Sequence, residues 1–297
     1  MSDAASSDPL PFDYPPDQHV LRDLAFQMEA VSEARSRVYL AVTPNVVVGS
    51  NVSVGALTTV VDVIAGSLVG RVLAPDWMAT ADLSMHLGDV STTGGVVVAD
   101  ASVIRNGRTT VVVEVDLSVA PDPTSGGAGG PHAMGEALLT FVRLPRRGTT
   151  PDMSTFDIRY GELTSFATAG SGLRVPFDER LGITVRDERH GIVDLPMADY
   201  VRNSFGAVNG GVVAGIAESA ARTAGRFLLG GPVRTVDLEV HYLVQGRTGP
   251  FTTRTSVVRH RADSALVRAE VIDSGNVDDD GSAAVMVVAH ADVQLDD

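Results

Sequence analysis

The stretch NSFGAVNGGVVAGIAESAAR, residues 203–222, decides how the chain is read. After Gly210 and Gly211 it becomes a run of small apolar residues with the composition of a buried helix, and Glu218 stands in the middle of that run. A carboxylate in such surroundings is costly unless hydrogen-bonded, and desolvation raises its pKa. It is either a structural acid bonded to a neighbouring hydroxyl or a base poised near neutral pH.

The same arrangement occurs earlier in the chain. VGALTTVVD (54–62) matches GGVVAGIAE (210–218), so that Gly55 and Gly211 are each followed two helical turns later by an acid, Asp62 and Glu218. ATADLSMH (79–86) matches RTVDLEVH (234–241), with Thr80, Asp82, Leu83 and His86 answering Thr235, Asp237, Leu238 and His241. ASVIRNGRTTVVVEV (101–115) matches TSVVRHRADSALVRAEV (255–271), and GEALLTFVRL (135–144) matches SAAVMVVAHA (282–291) as an apolar closing strand. Matches in the same order along the chain make it two copies of one unit.

Each unit reads as a helix of about five turns followed by strands rich in Val and Thr, an α+β arrangement with an antiparallel sheet. Around Asp62 lie Ala56, Leu57, Val60, Val61, Val63, Ile64 and Ala65, which leaves the helix no polar face, so the sheet must wrap it. Residues 1–18 are expected to be disordered, with the first unit over 19–150 and the second over 151–297. The segment QHVLRDLAFQMEAVSEARSRVYL (18–40) has Val20, Leu24, Met28 and Val31 at helical spacing, which predicts an amphipathic helix at the start of the first unit. PDPTSGGAGGPHAMG (121–135) has the composition of a loop.

Composition bounds the function. The 297 residues are 44% hydrophobic and 20% charged, enough for a sizeable core, and the net charge of −14 argues against a nucleic-acid partner. There is no cysteine, which removes disulfides, thiolate nucleophiles and the usual structural zinc sites. The N-terminus lacks the basic and apolar blocks of a signal peptide, and no uninterrupted apolar window is long enough to span a bilayer. A cytoplasmic protein without membrane insertion is the expectation. GxSxG is absent, which disfavours a serine hydrolase. His86 and His241 have no second histidine or cysteine at ligand spacing, so no metal is expected.

A helix that opens with Gly presents bare N–H groups and the positive end of its dipole to an oxyanion, unless the glycine merely permits a tight turn. Seven residues separate each acid from its own helix start by roughly 10 Å along the axis, too far for both to serve one carbonyl. If the two units pack as a pseudo-two-fold dimer, the acid of one helix can face the start of the other. Two composite sites follow: Asp62 opposite Gly211, and Glu218 opposite Gly55.

The pattern of Asn203, Asn209, Gly210, Gly211 and Glu218, preceded by LGITVRDERHGIVDLPMADYVRN (181–203), resembles the signature of hotdog-fold acyl-CoA thioesterases of the phenylacetate type. The resemblance covers most of 175–295 and, more loosely, 40–145, and implies a tandem (double) hotdog forming an intramolecular pseudo-dimer. It implies that Asn203, Asn209 and Gly211 hold a thioester carbonyl, with Asp62 as the acid that attacks it or activates water and Thr80 as its hydrogen-bond partner. The other site would combine Glu218 and Thr235 with Gly55, where Val47 and Ser53 replace the two asparagines and Asn45 or Asn51 could substitute. Arg105, Arg108, Arg259 and Arg261 would suit the phosphates of coenzyme A, or are solvated hairpin residues. Acyl-CoA is then the partner, with coenzyme A as part of the substrate and no separate cofactor; homo-oligomers of the pseudo-dimer are compatible with the fold. Two further readings stay open: an acyl-CoA binding module or sensor, and an enoyl-CoA hydratase, for which the expected Asp–His pairing is not evident. This chain departs from the family pattern in having Asn209 where a histidine is usual and Glu218 where the acid is usually Asp. Simple alternation also places Thr80 with Asp82, Ser84 and His86, so aiming it at Asp62 requires a bend in the strand.

Overall fold

The computed structural model describes residues 14–88, 94–121, 130–145, 159–277 and 281–296. A short helix α1 (Val20–Leu24) leads into strands β1 (Gln27–Ser32) and β2 (Arg35–Ala41), and two-residue strands β3 (Val47–Val48) and β4 (Asn51–Val52) precede helix α2 (Val54–Leu73). Strands β5 (Trp77–Leu87), β6 (Val96–Asn106), β7 (Thr110–Ala120) and β8 (His132–Leu144) complete the first unit. After β9 (Leu163–Ser165) the second unit runs through α3 (Phe177–Leu181), β10 (Thr184–Asp187), β11 (Ile192–Leu195), α4 (Gly210–Leu229), β12 (Val233–Tyr242), β13 (Phe251–His260), β14 (Ser264–Val277) and β15 (Ala283–Leu295).

All strands except β3 and β4 join one 13-stranded antiparallel sheet, in the order β10-β11-β13-β14-β15-β12-β5-β8-β7-β6-β2-β1-β9. Outward from the central β12–β5 pair the two halves have equivalent strands in the same order, the topology of a duplicated unit. At that seam the register pairs Asp237 with His86 and His241 with Asp82, residues that answer one another in the repeat. His86 Nδ1 lies 2.6 Å from Asp237 Oδ1 and His241 Nδ1 lies 2.7 Å from Asp82 Oδ1. A pseudo-two-fold axis therefore passes through the seam.

The two long helices lie inside the curl of the sheet. By length and composition α2 could cross a membrane, but it is largely buried within the protein. Ser53 caps α2 by accepting from the Ala56 N–H, and Asn209 caps α4 by accepting from the Val212 N–H. Gly230 ends α4 in the left-handed conformation at φ 74°, and Pro75 follows the last residues of α2.

Where the helices cross, their backbones touch. A Cβ on Gly215 would stand 2.9 Å from Gly55 Cα, and one on Gly211 would stand 2.4 Å from Thr58 O and Thr59 Cα. Thr58 adds a 2.8 Å hydrogen bond from its hydroxyl to Gly211 O. Glycine is required here by the close approach, because backbone cannot yield as a flexible side chain can.

The helix predicted over 18–40 is corrected: only Val20–Leu24 is helical, and β1 and β2 form a hairpin. Ala25 turns left-handed at φ 53° and ends the helix. From Arg35 onward, side chains alternate between solvent and core, burying Val38 and Leu40, and period-2 burial overrides the helical spacing. The 18-residue disordered start is also corrected from residue 14 onward, because Pro15 is buried and Tyr14 packs partly buried against the core. The expected loop at 121–135 lies partly outside the described residues, and β8 begins inside it at His132. The boundary drawn at 150/151 lies outside the described residues; beyond it, β9 pairs with β1 of the first unit.

Gly215→Ala is expected to destabilise the protein by about 1–3 kcal/mol through overpacking, each kcal/mol lowering Tm by about 2–4 °C. Gly66→Ala, whose Cβ would meet only the Phe141 ring edge at 4.0 Å, is expected to raise Tm because it removes a mid-helix glycine. Thermal unfolding of the two variants beside wild type checks both signs.

Candidate active site

Asp62 lies midway along α2, where helical geometry turns it toward the start of α4. Its Oδ2 accepts the Gly211 N–H at 3.1 Å, a bond between residues 149 positions apart, and its Oδ1 accepts the Thr80 hydroxyl at 2.9 Å. The structure thus brings together Asp62, Thr80 and Gly211. Thr80 reaches Asp62 because the β5–β8 register shifts between Thr80 and Asp82. This bulge supplies the bend that alternation lacked.

Burial pushes the Asp62 carboxyl above its ordinary range, and the Thr80 and Gly211 hydrogen bonds pull it part of the way back. Gly210 leaves room for the carboxylate, since a Cβ there would lie 2.9 Å from Asp62 Oδ2. The first turn of α4 then divides its N–H groups: Gly211 holds Asp62, Val212 is capped by Asn209 Oδ1, and Val213 bonds Asn209 O. Gly210, whose N–H is the first of the helix, lines the large cavity. This corrects the expected role of Gly211, whose N–H holds the acid instead of a carbonyl.

Asn203 Oδ1 accepts from Phe205 and Ala207 N–H at 2.9 and 3.1 Å and so shapes the loop that leads to α4. Asn203, Asn209, Gly210, Asp62 and Thr80 line a cavity of about 860 Å³ whose walls are mostly apolar, including Trp77, Phe141 and Phe205. Trp77 packs edge-on against Phe205 with ring centroids 4.0 Å apart, and its buried indole N–H has no partner among the described residues.

Three groups in this site carried no clear mark in the sequence. Tyr14 lines the cavity, and its phenol is pushed well up by burial, with the charge of Asp62 adding to the effect and an Asn209 hydrogen bond opposing it. Tyr242 donates to Gly210 O at 2.9 Å, and burial followed by Asp62 raises its phenol too. Both phenols stay protonated and can donate. His19, fully buried, holds the N-terminal segment in place: its Nδ1 accepts the Leu21 N–H at 3.2 Å, which leaves Nε2 to donate to Arg202 O at 2.7 Å. The nearest signal for the strap was an aromatic among prolines, PFDYPP (11–16), in an otherwise polar start.

The second composite arrangement does not assemble. Thr235 donates to Glu218 Oε1 at 2.7 Å, again beside a strand bulge, between Thr235 and Asp237. The longer Glu218, however, takes Arg222 as its partner at 3.1 Å, and Arg222 also reaches Asp178 at 2.8 Å. Glu218 foremost, then Asp178, hold the Arg222 guanidinium charged. Gly55 is covered by Phe177, whose ring would lie 3.4 Å from an added Cβ. Asn45 is bonded to Leu173 O at 2.8 Å and Asn51 to the Asp296 carboxylate at 3.3 Å, so neither substitutes for the missing amides. The space beside Glu218 is about 30 Å³.

The four arginines expected to meet coenzyme A do not line the large cavity. Arg105 and Arg108 are exposed at the β6–β7 hairpin; Arg259 and Arg261 are exposed at the β13–β14 hairpin, with Arg259 paired to Asp292 at 2.6 Å. Arg71 and Arg159 are the cations on the cavity wall.

Residues 205–278 match the family model described as Thioesterase superfamily. None of the curated proteins compared with the chain matches it. A conserved protein of unknown function with a hot dog fold, from Alicyclobacillus acidocaldarius, superposes with a TM-score of 0.54 at 9% identity, over 94% of this chain and 98% of its own. The chain is a tandem hotdog protein. An acyl-ACP thioesterase from Bacteroides thetaiotaomicron is similar over 89% of this chain and 100% of its own, at TM-score 0.55 and 12% identity. A tesB protein from Mycobacterium avium subs paratuberculosis is similar over 94% and 98%, at 0.51 and 12%. At these identities the likeness extends to the fold of this tandem hotdog, while the family match falls on the second unit and includes the whole of α4.

Burial lowers the pKa of His19 from 6.5 to about 4. A histidine held neutral in the fold stabilises it fully above the unfolded value, and that contribution is lost as pH falls toward the folded one. Unfolding free energy is therefore expected to drop by about 3 kcal/mol from this group between pH 6.5 and 4. Denaturant titrations of wild type and His19→Gln across that range check it: the variant should show a shallower slope.

Proposed function

We propose that this protein hydrolyses acyl thioesters, with acyl-CoA as the substrate class, at the single composite site around Asp62. The observation that carries the reading is a buried carboxylate from the first unit, oriented by Thr80 and by the first turn of α4 from the second unit, at the wall of a large apolar cavity. The family match and the fold of the acyl-ACP and tesB proteins support thioester chemistry.

In this reading the acyl group lies along the apolar wall and its carbonyl oxygen points at Gly210 N–H, with the dipole of α4 behind it. Asp62 takes a proton from water as the water oxygen attacks the carbonyl carbon. The tetrahedral oxyanion collapses, the carbon–sulfur bond breaks, and the proton on Asp62 passes to the leaving thiolate. Tyr14 supplies a further donor near the carboxylate, while the single Tyr242 O–H is taken by Gly210 O. A hydratase is less well supported, because no histidine is among the described residues lining the cavity.

Thiol release from acyl-CoAs of short, medium, long and aromatic acyl groups tests this. Wild type should cleave at least one class, Asp62→Asn should lower kcat by about 10²-fold or more through loss of the base, and Glu218→Gln should leave turnover within a few-fold if it folds. Binding that raises Tm without any thiol release would instead make the protein an acyl-CoA binding module. Since burial raises the Asp62 pKa and the base must be ionised, kcat/KM should fall on the acid side with a midpoint above the ordinary Asp value of about 4. A midpoint at or below that value would remove Asp62 from the role.

A further inference from the structure

The solvent face of the sheet at the seam carries a cluster unrelated to the cavity. On β12, Glu239 and His241 are two residues apart and point outward, between the inward Leu238 and Val240. The β12–β15 register sets His290 opposite Glu239. One ligand atom each from Glu239, His241 and His290 lie within 4.8 Å of one another.

His241 is also prepared for coordination. Its Nδ1 is held by Asp82 at 2.7 Å across the seam, and its Nε2 faces Glu239 Oε1 at 3.5 Å. A carboxylate accepting from one ring nitrogen fixes the tautomer that leaves the other nitrogen's lone pair for a metal. Two imidazoles and a carboxylate with an open fourth position match a zinc-type ligand set. Ligand atoms about 2 Å from a tetrahedral ion stand roughly 3.3 Å apart, which these half-exposed side chains reach by small rotations.

The repeat supplies an internal control. His86 has the same kind of carboxylate partner, Asp237 at 2.6 Å, so an Asp–His pair belongs to the seam in both copies. Around His86, however, Ser84 stands where Glu239 does, and its partner on β8 is Leu138 in place of His290. Only the second copy adds two further ligands. The neighbouring cation, Arg268 opposite His290, is paired to Glu270, which Arg254 also holds, so its charge is largely balanced.

We propose that Glu239, His241 and His290 bind a divalent cation of the zinc class, with Asp82 as the positioning residue. The ion would tie β12 to β15 and, through Asp82, to β5 of the other unit. Its role is therefore a clamp on the seam, and it stands or falls independently of the thioesterase reading.

The experiment is a Zn²⁺ titration of the full, tag-free chain by calorimetry at pH 7.5, with Co²⁺ absorption reporting the ligand geometry. One equivalent should bind with a Kd in the micromolar range or tighter and raise Tm. His290→Ala and His241→Ala should each weaken binding at least 10-fold, Asp82→Asn should weaken it about 10-fold, and His86→Ala should not change it. Circular dichroism confirms that each variant is folded; these are outward-facing side chains. A wild-type Kd weaker than millimolar, or equal affinity in His290→Ala and wild type, would overturn the proposal.

Discussion

The Gly211 N–H bonded to the Asp62 carboxylate is the contact on which the site depends. It forms only because α2 and α4 cross at backbone distance, and that crossing needs Gly211 and Gly215 without side chains. A hydrogen bond to an ionised acceptor at a helix N-terminus is stronger than a neutral one, and it gives a buried acid in an apolar helix a partner. The small residues that make α4 look like ordinary core are thus what admits a polar group into it.

The two units carry an acid at the same repeat position, Asp62 and Glu218, and the structure gives them different surroundings. Asp62 has a hydroxyl, a helix N-terminus and a large cavity. Glu218 has the hydroxyl, but one extra methylene and a neighbouring arginine draw it into an ion pair, while Phe177 fills the place beside the opposite helix start. Burial pushes both carboxyls above their ordinary range, Glu218 against the opposing charge of Arg222. What separates them is the surroundings: Asp62 stands at the wall of a large cavity, and Glu218 is closed in by its ion pair.

The two faces of the sheet divide the remaining polar chemistry. On the concave side the strap pinned by His19 places Tyr14 against the cavity. On the convex side the seam pairs Asp82 with His241 and His86 with Asp237 across the units. Strand alternation keeps these sets apart, and the bulges beside Thr80 and Thr235 are the points where a residue of the outer set is turned inward.

The repeats, the apolar helices with an acid at a common register and the need for the two units to meet were legible in the residues, because period, spacing and helical rise are local properties. The α+β hotdog architecture followed from them and from the Asn203–Glu218 pattern. The hairpin of Gln27–Ala41 was not legible, since Val20, Leu24, Met28 and Val31 fit a helix as well, and only burial against the sheet chose the strands. Nor could spacing show Tyr14 beside Asp62 or His290 beside His241, because each depends on which side chains pack together once the sheet has closed; the Glu218–Arg222 pair is by contrast a local i,i+4 spacing on α4. The sequence by itself determined that two like units each bury an acid in a helix; tertiary structure decided which acid faces a cavity, because the partner of a buried charge is set by distances between segments far apart in the chain.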